Sequence, residues 1–230
     1  MILKETQEQR DKELSKLTGV SIEKIKKLDI TKPRCGYVEP ETEEGYIELY
    51  SKDYGLKTIE YMRILMRTSI YARDDDLYQL INRTSGKKCL DFGCGVGTHA
   101  IALLERGNDV SVLDVPSPLL ELTTKRANFR GLSFEKVYSQ DDKLPNSKFD
   151  VIICTNVLEH VYDPIKDINR ITKTLKKHGE LHLAVSNKIK PSSGHFKQSV
   201  EAWREEGKTF MRKYYTKQGK TMYRKRKRSL

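Results

Sequence analysis

Residues 88–98 read Lys-Cys-Leu-Asp-Phe-Gly-Cys-Gly-Val-Gly-Thr, and the apolar run Ala100 to Leu104 follows at once. A short hydrophobic strand gives way to an acidic residue and then to a turn with glycines at 93, 95 and 97, before a helix begins near Thr98. Glycine carries no Cβ, so the backbone can take φ > 0 and approach a ligand closely. A helix that starts straight after such a turn aims its unpaired N–H groups into it. The segment therefore reads as a cradle for a nucleotide-like cofactor.

Outward from the cradle, residues 87–186 alternate short apolar runs with helical stretches. The spacing predicts strands at Lys88 to Phe92, Asp109 to Leu113, Ser133 to Val137, Phe149 to Cys154 and Glu180 to Ser186, with helices near 98–106, 117–129 and 163–176. Strands separated by helices need crossover connections, which are right-handed and build a mostly parallel sheet covered on both faces. The fold class is thus α/β, a doubly wound sheet. Ligands of such sheets bind at the carboxyl ends of the strands, where the strand order reverses.

The spacing of the turn discriminates between cofactors. A dinucleotide site wants its third glycine three residues past the second, whereas here Gly97 is two past Gly95, Thr stands at 98 and Asp91 lies two before the first glycine. A carboxylate suits a pyrophosphate poorly. It suits a ligand with an ammonium group beside a small carboxylate, as in S-adenosylmethionine (SAM).

With those residues in view, the segment Lys88 to Val185 resembles the class I SAM-dependent methyltransferases, a Rossmann-like family that includes ubiquinone-biosynthesis and other small-molecule enzymes. Four motifs match in order: Leu90 to Thr98; Val110-Ser-Val-Leu-Asp114; Leu144-Pro-Asn-Ser-Lys-Phe-Asp-Val-Ile-Ile-Cys154; and Asn156-Val-Leu-Glu-His-Val-Tyr-Asp-Pro164 with Leu175-Lys-Lys-His-Gly-Glu-Leu181. The resemblance implies SAM as methyl donor and S-adenosylhomocysteine as product. It places the amino-acid end of the cofactor at Asp91, Gly93, Cys94, Gly95 and Gly97, the ribose hydroxyls at Asp114 beside Val115, and further contacts at Asn156 and Leu158. The family's acceptor for the adenine amino group falls at Gln140, with Asp141 one residue on, and either side chain can accept. Little sequence is left for the family's last two strands, so the sheet either closes with a short basic hairpin or stops at five strands.

The flanks differ in pattern. Residues 1–84 form a helical extension, 85–187 the cofactor domain, and 188–230 a helix with a basic tail. In the first, Leu17 to Ile25 reads as part of a helical hairpin, with Ser21 capping a helix that ends before Pro33 and Gly36; Glu43 to Asn82 is helical, broken once at Asp74-Asp75-Asp76. A helix is expected from about Gln198 to Met211, then a hairpin about Gln218-Gly219. The net charge of +11 is concentrated: Lys208 to Leu230 holds ten basic residues and no acidic one, leaving the first 207 residues at about +1. That tail, through Arg228, is either a nucleic-acid or other polyanion contact or a solvated, partly disordered terminus.

The four cysteines, at 35, 89, 94 and 154, have no zinc spacing and read as reduced thiols, with no metal expected. No run approaches the roughly 20 apolar residues of a membrane span, and no secretory h-region precedes the first helix; a cytoplasmic protein is expected. His160, on the turn after the fourth strand, is a candidate general base. Tyr46, Tyr50, Tyr54 and Tyr61 are candidates for an aromatic lid over the cofactor or for core packing, and His195, Phe196 and Trp203 fall where an acceptor pocket or a packed last helix would lie. No Asn/Asp-Pro-Pro-Tyr/Phe follows the fourth strand, which disfavours nucleobase amines. The expected function is methylation of a small or medium-sized metabolite; an RNA methyltransferase recruited by the tail, or a SAM-binding protein without turnover, are the alternatives.

Overall fold

The computed structural model describes residues 4–28, 39–53, 55–67 and 75–226. A seven-stranded sheet runs through it in the order β3-β2-β1-β4-β5-β7-β6. The strands are β1 (Lys88–Phe92), β2 (Asp109–Asp114), β3 (Lys136–Ser139), β4 (Phe149–Thr155), β5 (Leu175–Ala184), β6 (Tyr215–Lys217) and β7 (Met222–Lys225). The first five pair in parallel, and β7 lies antiparallel between β5 and β6. The order reverses between β1 and β4, which puts the turn after β1 where such sheets bind ligands.

Local signals explain the crossover helices α6 (Thr98–Leu104), α7 (Pro118–Phe129) and α8 (Pro164–Thr174). Ser117 accepts from the Leu120 amide at 3.3 Å ahead of Pro118, and Asp163 accepts from the amides of Ile165 and Lys166 at 2.9 and 2.8 Å ahead of Pro164. Both pair a capping side chain with a proline at the first helical position. Strand alternation then sorts the core. Val151 and Ile153 face a cluster containing Leu80, Ile81 and Ile101, while Ile152 and Cys154 face one containing Ile168, Ile171, Leu181 and Trp203.

Two strands depart from their expected bounds. β3 begins at Lys136, not Ser133: Gly131 turns the chain left-handed, the Leu132 amide donates to Ala127 O of α7 at 3.0 Å, and Leu132 and Phe134 pack against the core from the connecting loop. β5 begins at Leu175, five residues early, and the ladder then slips: Phe149 pairs with Leu175 but Val151 with Glu180, so residues 176–179 bulge out.

Before the sheet come α1 (Gln7–Thr18), α2 (Ile22–Lys27), α3 (Glu43–Ser51), α4 (Leu56–Arg67) and α5 (Asp75–Arg83). The hairpin at the start forms, Gly19 closing α1 in the left-handed region and Ser21 capping α2. Among the described residues the stretch expected as two helices holds three: α3 ends at Ser51 and α4 starts at Leu56, and ahead of α4 Asp53 accepts from the Gly55 amide at 2.8 Å and Gly55 takes φ +60°; Asp74, Pro33, Gly36, Cys35 and Tyr54 lie outside the described residues. A third cluster joins Leu14, Ile25, Met62 and Met66 to Val96 and Leu122, so the extension packs on the glycine turn itself.

The expected helix after the loop at 187–196 forms as α9 (Lys197–Ala202) and α10 (Lys208–Tyr214), joined by a π-helical turn at Trp203–Gly207. A Cβ at Gly207 would overlap the Trp203 ring, which lies back over the turn. Past α10 the tail is not a disordered appendage as far as residue 226. The Lys225 amine, buried, donates to the carbonyls of Thr172 and of Leu175, the latter at 2.7 Å, and Arg226 Nε donates to Tyr215 O at 2.8 Å. Arg224 sits on Glu180, which also takes both guanidinium arms of Arg83 at 2.9 Å. These cations close the end of α8 and the edge of the sheet. No described helix is long and apolar enough to cross a membrane.

Lys225→Met keeps the buried stem and removes the donor to two carbonyls. It is expected to lower stability by about 1–3 kcal/mol, read as a lower midpoint in thermal unfolding; an unchanged midpoint would show that the amine is not needed there.

Candidate functional site

Gly93, Gly95 and Gly97 all take positive φ, +73°, +54° and +71°. A Cβ at Gly93 would overlap Val157, and one at Gly97 would overlap Thr123, so packing as well as conformation demands glycine at both. Gly95 is different: the nearest atom to a Cβ there is Leu65 Cδ1 of α4 at 3.8 Å. The turn is held from behind. The amides of Gly93 and Cys94 donate to Leu113 O at 2.8 and 3.2 Å, and Thr123 Oγ1 donates to Gly95 O at 2.7 Å.

Two acids close the front. Asp91, buried at the end of β1, accepts from the Ala100 amide at 3.1 Å. Asp114, half-buried at the end of β2, accepts from the Gly95 amide at 2.7 Å and from the Val115 amide at 2.8 Å. Burial, and then the neighbouring Asp114 carboxylate, push Asp91 up to about 7; burial also raises Asp114 above the ordinary carboxylate range. Among the described residues neither acid is paired with a cation. Two adjacent carboxyls without a counter-ion favour a cationic ligand.

Beyond β3, Gln140 presents a buried side-chain oxygen with no hydrogen-bond partner, while its amide nitrogen donates to the exposed Asp141 at 2.9 Å. Arg170 fixes the loop by donating to Gln140 O at 2.7 Å. A buried orphan acceptor is uncommon, and this one suits an exocyclic amine.

After β4 the chain enters the left-handed region at Asn156 (φ +55°), whose side chain is exposed and whose amide donates to Ala184 O at 2.9 Å. Leu158 is fully buried among Ile152, Cys154 and Ile168, so its side chain belongs to the core. Glu159, also fully buried, accepts from the Ser186 amide at 3.0 Å through one oxygen and has no partner at the other; burial raises it to about 7.

His160 Nδ1 lies 2.9 Å from Gly194 O. A carbonyl only accepts, so this contact is a hydrogen bond in the tautomer with the proton on Nδ1, which leaves Nε2 its lone pair; in the other tautomer the Tyr50 hydroxyl is the donor to Nδ1. Burial, with His195 beside it, lowers His160 to about 4, so the ring is neutral at pH 7. His195 stands with ring centroid 4.8 Å away, its Nδ1 3.2 Å from Lys188 O, and Tyr50 Oη is 3.0 Å from His160 Nδ1. Gly194 makes this possible: it takes φ +73°, and a Cβ there would overlap the Tyr50 hydroxyl. Sequence reasoning placed His160 and His195 separately and did not single out Gly194 as their link. Glu159, His160 and His195 each offer one donor atom within 4.8 Å of the others, a grouping of metal-ligand types where none was expected. Tyr46 is core, packed edge-on against Tyr162 and Phe196, as is Trp203.

A parallel doubly wound sheet with a glycine turn, two acids at its switch point and a buried orphan acceptor defines a methyltransferase-type cofactor site. The methyltransferase-domain family model matches residues 67–220, and the chain belongs to that family, the class I SAM-dependent methyltransferases. The ubiquinone biosynthesis O-methyltransferase of Actinobacillus pleuropneumoniae serotype 5b is 37% identical over 125 residues, covering 50% of this chain and 53% of that protein. The protein of the same name from Haemophilus ducreyi is 34% identical over 114 residues, 46% of this chain and 48% of the other. The chain thus matches about half the length of these curated relatives. Among solved structures, PH0226 from Pyrococcus horikoshii aligns with TM-score 0.49 at 18% identity, covering 69% of this chain and 90% of that one.

The residues fit SAM: the Gln140 oxygen can take the adenine amino group, Asp114 the ribose hydroxyls, and Asp91 the ammonium. Binding a cation beside Asp91 would drive off its proton. SAM affinity is therefore expected to rise from pH 6 to about 8, with proton release in calorimetry at pH 6 that Asp91→Asn abolishes; a flat profile would remove Asp91 from the site. Without ligand the sign reverses. Asp91 loses its proton near 3.8 when unfolded but near 7 when folded, and Glu159 near 4.5 and 7, so both reduce stability progressively as pH rises from about 4 to 7. The ligand-free protein should melt at higher temperature at pH 5.5 than at pH 8 if these two groups dominate, and Asp91→Asn should flatten the difference. Asp114→Ala should abolish SAM binding while the fold, followed by circular dichroism, persists.

Proposed function

We propose that the protein transfers the SAM methyl group to a hydroxyl of a small metabolite, with His160 as general base. The observation that carries this is the 2.9 Å approach of His160 Nδ1 to Gly194 O: with the proton on Nδ1, Nε2 is left to accept one. O-methyl transfer is the activity named for the Actinobacillus and Haemophilus relatives. When bound, SAM supplies an electrophilic methyl group on a sulfonium. Transfer of that methyl group to the acceptor oxygen would leave a neutral thioether, and His160 Nε2 would take the proton that the hydroxyl gives up. The remaining requirement is orientation and exclusion of water, a role we assign to α3, whose Tyr50 reaches His160, and α4, whose Leu65 approaches Gly95.

His160→Gln is expected to lower turnover about 10²–10⁴-fold while SAM affinity stays within twofold. The substrate comes from a transfer assay on fractionated cell extract; equal turnover by the variant removes the base, and SAM binding without transfer to any fraction favours a regulatory SAM-binding protein. A second reading rests on the grouping of Glu159, His160 and His195. If they ligate a divalent ion that activates the acceptor, chelation should abolish turnover and added metal restore it, whereas a free base is indifferent to chelator.

The polynucleotide reading of the tail is weaker. Arg224, Lys225 and Arg226 are engaged within the fold, and removing the segment would dismantle the sheet's edge. We place the protein in the cytoplasm, a reading supported by buried Cys89, Cys94 and Cys154 being free thiols.

A further inference from the structure

We propose that Arg126 is a positioning residue for the cofactor turn and that Glu13, from the N-terminal extension, makes it so, coupling SAM binding to the docking of α1. The inference rests on the SAM reading above.

Arg126 projects from α7 and is 1% exposed. One guanidinium nitrogen donates to the Val96 carbonyl, between Gly95 and Gly97, and to Thr98 Oγ1 at 3.2 Å, where α6 begins. The other donates to Glu13 Oε2 at 3.2 Å. Three residues earlier on α7, Thr123 holds the Gly95 carbonyl. Two successive carbonyls of the turn are therefore drawn toward α7. Peptide planarity then turns the following N–H groups away from α7: that of Gly97 points into the turn, where it donates to Cys94 O at 2.8 Å, and that of Val96 lies on the side opposite the Gly95 carbonyl. Positive-φ glycines resist a peptide flip poorly, and beside the bonds within the turn and to Asp114 the two carbonyl contacts from α7 hold the 95–96 and 96–97 peptides in this orientation.

A buried guanidinium needs an anion, and α7 does not supply one to Arg126. Glu13 does, from 113 residues away. Its other oxygen accepts from Arg130 Nε at 3.1 Å, and Arg130 also takes Glu5 in a two-pronged pair at 2.7 and 3.0 Å. On the far side of α1, Asp11 pairs with Arg63 of α4 at 2.9 and 2.8 Å, and Arg10 donates to Met66 O at 2.7 Å. The apolar contact of Leu14 and Met66 with Val96 follows the same line. The extension is thus built into the turn's support as well as covering it.

The test uses the full chain with Arg126→Lys, Glu13→Gln and a control, Tyr215→Phe, which loses its hydroxyl bond to Thr172 at the opposite edge of the sheet. Arg126→Lys keeps the charge but not the fork. Both variants at the turn are expected to weaken SAM binding about 10–100-fold by calorimetry, as loss of a charged hydrogen bond would, and to shift the ligand-free amide NMR signals of Gly95 and Gly97. The control should bind SAM normally even where its melting temperature falls equally. If the unaltered protein takes up no SAM, the cofactor reading falls and the coupling with it. If it binds SAM and the two variants bind equally well, with unmoved glycine amides, or if affinity falls in the control in step with stability, only the coupling is overturned.

Discussion

The carboxylates of Asp91 and Asp114 stand at the carboxyl ends of adjacent parallel strands, beside a turn whose three glycines all take positive φ. Each is held by backbone amides of the segment it faces, Ala100 for one and Gly95 with Val115 for the other. The acids therefore shape the turn before any ligand arrives. They do so at an electrostatic cost, since burial and mutual repulsion disfavour the double negative charge. A cationic ligand relieves that cost, which turns an unfavourable feature of the folded chain into affinity.

The extension is attached in a way that sharpens this picture. Ion pairs across α1 are largely buried, Arg63 and Asp11 at 9% and 3% side-chain exposure and Arg126 and Glu13 at 1% and 4%. Buried pairs contribute little net stability over apolar contacts of similar volume, yet breaking one partner is expensive. Their contribution here is to orientation. Leu and Met side chains alone would let α1 slide along α4, whereas a guanidinium fork accepts one angle.

Much of the sheet was legible because its signals are local. Apolar runs, Ser117-Pro118 and Asp163-Pro164 each announce their element within a few residues, and the glycine spacing with Asp91 in front of it separated SAM from a dinucleotide. What was not legible depends on chain-distant meetings. His160 and Gly194 are 34 residues apart, Glu13 and Arg126 113, and no periodicity links either pair. The third strand was misplaced because Leu132 and Phe134, apolar enough for a strand, pack against the core from the loop ahead of it. The basic tail was ambiguous because a count of lysines does not distinguish an amine in water from the Lys225 amine, which closes the end of a helix.

The position of β7 between β5 and β6 also orders the folding of the chain. Until residues 222–225 are available, β5 has a partner on one side only, and its unpaired N–H and C=O groups face outward as an open edge. The cofactor cradle, by contrast, is complete in sequence by residue 186. A chain emerging from the ribosome can therefore assemble the nucleotide end of the sheet first, while an adhesive edge stays exposed until residues 222–225 arrive.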